Sequence, residues 1–152
     1  MTRSRVRRIA VALAPPLLFS VACGGSTTTT TSSGIPAACD VLTRDLVTPV
    51  AGSDAVQHRT DPGLDTYPNH CTFTSSTATV QIVIADWSQI GYPAGQLVPG
   101  IGDEAHVAPG GILYARKGAR GLMVAVTFLP GTDPGAKVAA EKSVAPKLLA
   151  KL

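Results

Sequence analysis

The stretch "TVQIVIADW", residues 79–87, decides the fold because its apolar side chains recur at every second position. Val80, Ile82 and Ile84 fall on one face at a period of two, which is the period of a β-strand. A second stripe of this kind runs from Leu122 to Phe128. Strands with such a stripe predict an antiparallel sheet that buries one face against other elements.

Helical patterns flank these strands. Residues 39–50 predict a short helix with Thr43 as its N-cap, and Asp133 caps a final helix that Pro146 should kink or end. Residues 72–75 pair with 79–87 around a turn at 75–78, and further strands are expected at 104–108, 112–116 and 122–128. The sequence therefore predicts an α+β fold, with an antiparallel sheet of four to five strands, an N-terminal and a C-terminal helix packed on one face, and one disulfide.

The first 22 residues have the layout of an export signal. Arg3, Arg5, Arg7 and Arg8 precede a short apolar run that ends at Ala22. A basic region, an apolar region and small residues before a cut are typical of a secretory signal, and the run is shorter than the roughly 20 residues that span a bilayer. We expect residues 1–22 to be a lipoprotein signal peptide.

Two cleavage events fit this segment. Ser20, Val21 and Ala22 satisfy the small-x-small rule, and cleavage there would release a secreted soluble protein. Val21, Ala22 and Cys23 also resemble a bacterial lipobox, in which the cysteine becomes a lipidated N-terminus. The chain has three cysteines, and because a disulfide uses two of them, the third needs a different role. If Cys39 pairs with Cys71, Cys23 is left over, and acylation (palmitate, for example) consumes it. The predicted location is extracytoplasmic, with the chain anchored to the cell membrane by lipid.

The composition changes again after Cys23. Residues 23–38 contain five consecutive threonines, which predicts a flexible tether before a single globular domain at 39–152. Without the signal, nine Lys and Arg face ten acids, so no nucleic-acid partner is expected. The bases concentrate in the second half. They either form an ordinary solvated surface, or Arg116, Lys117 and Arg120 meet anionic lipid or an envelope polymer.

The stretch "VPGIGDEAHV", residues 98–107, carries most of the residues that could do chemistry. Asp103 and Glu104 point to opposite faces of a strand and cannot serve one substrate, whereas Glu104 and His106 can share a face. The alternative is structural: the glycines turn the chain into a strand, and Asp103 bonds turn amides. Three scattered aromatic residues, Trp87, Tyr92 and Tyr114, could line a groove beside this pair. The candidate ligand groove therefore consists of Trp87, Tyr92, Glu104, His106 and Tyr114.

Other chemistries lack their usual spacing. His58 and His70 with Asp61 or Asp65 show no short metal-ligand spacing, so neither metal nor cofactor is predicted. No serine elbow, zinc-protease motif or nucleotide fingerprint occurs. The sequence predicts a protein that is not an enzyme.

Short motifs along nearly the whole chain suggest a family. The lipobox-like Cys23, the threonine-rich tether, "AACDVLT", "HCTF" and "PGIGDEA" together resemble small actinobacterial, mycobacterial-type cell-envelope lipoproteins whose globular part is a domain of unknown function. The resemblance implies an anchored extracytoplasmic α+β domain with one disulfide and no established activity. We expect a non-enzymatic module that binds a partner protein or a small envelope ligand. The alternatives are an envelope hydrolase that uses Glu104 and His106, or a secreted soluble accessory subunit of a cell-wall complex.

Overall fold

A computed structural model of the chain describes residues 34–59, 67–91, 94–130 and 133–152. The signal, the lipobox-like Cys23 and most of the tether therefore lie outside the described residues. The elements are α1 (Ala38–Val41), α2 (Arg44–Ala51), β1 (Val56–His58), β2 (His70–Thr74), β3 (Ala78–Asp86), α3 (Trp87–Ile90), β4 (Gln96–Leu97), β5 (Glu104–Val107), β6 (Leu113–Lys117), β7 (Arg120–Phe128) and α4 (Pro134–Leu149).

The strands form one antiparallel sheet in the order β1-β2-β3-β7-β6-β5-β4. The α+β class and the antiparallel sheet are confirmed, but the prediction of four to five strands is wrong, because the described chain forms seven. The two additional strands are the edge strands β1 and β4, which have two or three residues and exposed apolar side chains. Such short edges carry no alternation of apolar and polar residues from which a sequence could predict them.

One face of the sheet holds the main core, and we call it the helix-covered face. Ile82 of β3, Leu122 of β7 and Leu113 of β6 are fully buried there, in one cluster with side chains from three helices, including Val41, Val47 and Leu148. Ile35, upstream of α1, belongs to the same cluster. The predicted stripe of Val80, Ile82 and Ile84 is confirmed as part of this core.

Helix placement differs from the prediction in two ways. The single helix expected at 39–50 is two helices, because Thr43 is extended (φ −98°, ψ 159°) and stands as N-cap of α2 without a side-chain capping bond. The added helix α3 contains Trp87, which was expected in a strand. It packs on the opposite side of the sheet, where a Cβ on Gly121 would lie 2.5 Å from Ile90 Cδ1. The sheet therefore carries helices on both faces.

The C-terminal helix starts as predicted. Asp133 Oδ1 accepts a hydrogen bond from the Gly135 amide at 3.0 Å, which is an N-cap contact. Of the two effects expected from Pro146, a kink or an end, the helix does not end there, because α4 continues to Leu149. Pro146 removes one backbone hydrogen bond, but its neighbours Ala145 and Leu148 are buried against the sheet and hold the last turn in place.

The predicted disulfide is confirmed. Cys39 of α1 and Cys71 of β2 are joined across a sequence separation of 32 residues, with both side chains in the core cluster. Gln57 of β1 lies over this bridge and donates to Cys39 O at 2.9 Å. The disulfide therefore ties the first helix to the sheet at the point where the chain enters the domain.

Candidate functional site

The face of the sheet opposite the main core carries the candidate site, and we call it the second face. Because side chains alternate along a strand, residues that pair across strands share a face. One row of partners on the second face crosses six strands: His70, Val83, Met123, Tyr114, His106 and Leu97. Val83, Met123 and His106 are buried, while Leu97 at the edge is 63% exposed.

Glu104 and His106 do share this face, as the spacing predicts. His106 Nε2 lies 3.0 Å from Glu104 Oε1, and Arg116 Nε donates to Glu104 Oε2 at 2.9 Å. The His106 side chain is only 9% exposed, whereas the Glu104 and Arg116 side chains are about one-third exposed, at 31% and 38%. Both carboxylate oxygens are therefore occupied, and the three side chains form a charge-paired cluster at one end of the sheet.

Tyr114 completes the described part of the predicted groove. It pairs with His106 on one side and Met123 on the other, and it is half-buried. Burial raises the pKa of the Tyr114 hydroxyl above its ordinary value, and the nearby Tyr67 phenol raises it further. The segment that carries Tyr67 is held by a contact between its carbonyl and His70 Nδ1 at 2.6 Å.

The remaining groove residues divide into two groups. Trp87 begins α3, on the same face, and its Cα would lie 3.1 Å from a Cβ on Gly121. Tyr92 lies outside the described residues. The structure thus brings together Glu104, His106 and Tyr114, with Trp87 on the same face beyond Arg116 and Gly121. Arg116 was expected only in a basic patch, although its position two residues after Tyr114 in a strand places it on this face.

The "PGIGDEA" motif has a structural role in the described chain. Gly102 has φ +59°, and a Cβ there would overlap the Arg116 carbonyl oxygen, so only glycine fits. Asp103 Oδ2 accepts a hydrogen bond from the Gly118 amide in the β6–β7 turn at 2.6 Å. The structural interpretation of the sequence is confirmed, since the glycines turn the chain into β5 and Asp103 bonds a turn amide.

A pocket lies on the helix-covered face beside the disulfide. It has a volume of about 280 Å³ and is lined by Cys39, Thr43, Arg44, Gln57 and Phe73. Ligand pockets for drug-sized molecules usually measure about 300–1,000 Å³, so this cavity is small for one. No sequence pattern predicts this pocket, because its wall depends on the break between α1 and α2.

Metal binding has no support in the part of the chain that the structure describes. No group of three or more His, Cys, Asp or Glu side chains there is arranged to hold a metal ion. His58 lies in β1, His70 lies in β2, and Asp61 and Asp65 fall outside the described residues. Among the described helices, none is both long and apolar enough to cross a membrane.

No protein-family model, no curated protein and no solved structure matches this chain.

Proposed function

We propose that this protein is a lipid-anchored extracytoplasmic module that binds a partner protein or a small envelope ligand without catalysing a reaction. The observation that carries the proposal is the Cys39–Cys71 disulfide. A disulfide is typical of an oxidising compartment, and the pairing leaves Cys23 as the third cysteine, next to a signal-like segment. An acyl chain on Cys23 gives that thiol a use and attaches the domain to the membrane.

Cell fractionation tests the anchor. We expect the Cys23→Ala variant to leave the membrane fraction, while Ser20→Leu, which brings the segment closer to a lipobox, stays there. Intact-mass analysis of the mature protein should report acyl chains on Cys23 and, because of the disulfide, a mass lower by two hydrogen atoms than that of the fully reduced chain. An unmodified Cys23 at the processed N-terminus would instead favour the secreted soluble form, an accessory subunit of a cell-wall complex.

The binding surface that we propose is the second face near β4 and β5. It combines an exposed apolar side chain, Leu97, with a half-buried phenol, Tyr114, and with the charges of the Glu104 cluster. Binding sites typically combine apolar area with a few fixed polar groups, and this edge has both. Arg116 and His106 hold the Glu104 carboxylate in one position, which would fix the orientation of a ligand.

A matched pair of variants tests that surface. Leu97 and Leu129 are exposed to similar extents, at 63% and 58%, but Leu129 lies at the other end of the sheet, where its amide donates to Thr77 O. We expect Leu97→Ser to weaken capture of envelope partners by the mature chain, and Leu129→Ser to leave it unchanged. Equal effects of the two substitutions would argue against this surface.

One observation favours a second function, an envelope hydrolase. The 3.0 Å contact between His106 Nε2 and Glu104 Oε1 is the geometry of a histidine oriented by a carboxylate. Turnover of a cell-wall substrate that disappears in both Glu104→Gln and His106→Ala would establish it. The ion pair with Arg116 and the burial of His106 argue for the binding module instead.

A further inference from the structure

The described chain enters the domain at one end of the sheet, which we call the entry end. Gly34, the first described residue, accepts a hydrogen bond through its carbonyl from Arg120 Nη2 at 3.3 Å, beside the β6–β7 turn. The last turn of α4 lies at the same end, because Lys117 Nζ donates to Leu149 O at 3.1 Å. The entry end therefore comprises Gly34, the β6–β7 turn and the C-terminus of α4.

Three exposed lysines surround the C-terminus of α4, and we call Lys117, Lys147 and Lys151 the lysine cluster. Lys147 and Lys151 are four residues apart, so they lie close together around the helix end. Lys151 Nζ donates to Val41 O at 3.1 Å, and Lys117 bonds Leu149 O. Within the described residues, none of the three forms an ion pair with a carboxylate.

The acids at the same strand ends are already engaged. Asp86 accepts from Arg120 Nη1 at 3.0 Å, Glu104 accepts from Arg116, and Asp103 accepts from the Gly118 amide. The Asp86 and Glu104 pairs are close to neutral in sum. The Gly118 amide does not neutralise Asp103, so the three lysines of the cluster exceed this carboxylate by two positive charges. That charge attracts an anionic surface.

The position of the lipid anchor indicates that the membrane surface is the partner of the lysine cluster. On the proposed function, lipid attaches at Cys23, eleven residues before Gly34. A chain of that length spans about 18 Å as a coil and about 40 Å when fully extended. The entry end therefore stays close to the lipid surface, while the turn at residues 75–77, at the opposite end of the strands, can lie farther away.

We propose that the lysine cluster docks on the anionic headgroups of the membrane that holds Cys23. Each lysine near an anionic surface strengthens attachment about fivefold, so three alone bind weakly. The anchor at Cys23 strengthens this weak binding, because a short linker raises the effective concentration of headgroups at the lysine cluster to the millimolar range. Docking would turn Glu104 and His106, which lie towards the entry end, to the membrane side and would present the opposite end outward.

The experiment anchors the protein without relying on cellular acylation. Cys23 is the only thiol left by the disulfide, so the mature chain can be coupled through it to a maleimide lipid in vesicles. The vesicles contain either phosphatidylcholine alone or phosphatidylcholine with phosphatidylglycerol. An amine-reactive reagent then labels each lysine, and peptide mass spectrometry gives its rate. Lys142 is the internal control, because it is exposed on α4 about 140° around the helix from Lys147.

We expect phosphatidylglycerol to slow the labelling of the lysine cluster by roughly fivefold, and about 1 M salt to restore it, because the Debye length falls to about 3 Å. Lys142 should keep one rate in all vesicles. Equal labelling of Lys147 in the two vesicle types, or equal slowing of Lys142, would overturn the proposal. Acylation of Cys23 in cells is measured separately by intact mass, so a failed anchor and a failed docking surface give different results.

Discussion

The two faces of the sheet bury side chains for different reasons. The helix-covered face buries an apolar cluster that includes Ile82, Leu113 and Leu122 beneath three helices. The second face buries Val83, Met123 and Ile90 outside that cluster, next to a charged group of Glu104, His106 and Arg116. The first arrangement maximises buried apolar area and therefore stability. The second mixes apolar contacts with fixed charges, which is the composition of a surface that recognises another molecule.

The second face also differs from one end to the other. Thr74, Thr79 and Thr127 form one cross-strand row at the end near the turn at 75–77, and Thr127 is exposed. At the entry end, α3 covers Gly121, and Tyr67 lies near Tyr114. The charged cluster of this face therefore lies in the half nearest the entry end. Substitutions can test whether the two faces differ in energetic role as they differ in composition.

The largest effect is expected on the helix-covered face. Leu122 is fully buried, so Leu122→Ala should lower the free energy of unfolding by about 2–5 kcal/mol, through lost apolar contact and the cavity that remains. Thr127→Ala is the matched control on the second face of the same strand, where the side chain is exposed and a change below about 1 kcal/mol is expected. Urea denaturation with the disulfide intact measures both. Similar losses for the two variants would contradict the division of roles.

Glu141 is an ionisable residue buried inside the helix-covered face. Its side chain is fully buried, Oε1 accepts from the Val126 amide at 3.0 Å, and Oε2 has no hydrogen-bond partner among the described residues. Burial raises the pKa of this carboxyl to about 7, although the Val126 amide and the nearby Lys137 ammonium act in the opposite direction. Glu141 supplies a hydrogen-bond acceptor that β6 does not. Because β6 begins at Leu113, opposite Val124, it does not reach Val126, and the Val126 amide donates to Glu141 instead.

The raised pKa makes stability fall as pH rises. Between about pH 4.5 and about pH 7, Glu141 is ionised in the unfolded chain but keeps its proton in the folded chain. The folded state therefore binds more protons than the unfolded state in this pH range, and stability falls as the pH rises. The loss should be about 3 kcal/mol and should become complete as the pH rises past the folded pKa of about 7. Glu141→Gln should flatten this part of the pH profile of unfolding, whereas Lys142→Gln, an exposed control on α4, should not. A wild-type slope that survives in Glu141→Gln would show that another group titrates.

The sequence predicts the centre of this fold better than its edges. The stripes in β3 and β7 follow from period-two alternation, because both strands lie in the middle of the sheet and bury one full face. By contrast, β1 and β4 have so few residues that tertiary pairing alone defines them. A related reason explains why α4 does not end at Pro146: local propensity favours a helix end there, but the buried Leu148 holds the last turn in place.

The candidate site was predictable only in part. The two-residue spacing places Glu104 and His106 on one face, and the structure confirms that geometry. Their partner Arg116 comes from β6, twelve residues later, and only the register of β5 against β6 brings it to Glu104. Glu141 was missed because a single acid within a helical segment normally indicates an exposed position, not a carboxyl that bonds a strand amide.

The third prediction tests how tightly α3 covers the second face. A Cβ at Gly121 would lie 2.5 Å from Ile90 Cδ1 and 3.1 Å from Trp87 Cα, so Gly121→Ala should cost about 1–3 kcal/mol through overpacking. Shortening the opposing side chain should relieve most of this. We therefore expect the double variant Gly121→Ala/Ile90→Ala to be less destabilised than the sum of the two single variants. Strict additivity of the three measurements would mean that α3 does not rest on Gly121 in solution.

The smallest change in stability is expected at the charged cluster itself. Glu104→Gln leaves Arg116 and His106 without a carboxylate, but the ion pair is about one-third exposed, so water screens it and the cost should stay near 1 kcal/mol or below. Asp86→Asn is the control, because it breaks the comparable ion pair with Arg120 at 3.0 Å. If the second face is a recognition surface, Glu104→Gln weakens ligand capture far more than Asp86→Asn, although both unfold at similar urea concentrations. A loss of stability in Glu104→Gln as large as that in Leu122→Ala would mean that this cluster is part of the core, and that the two faces do not differ in role.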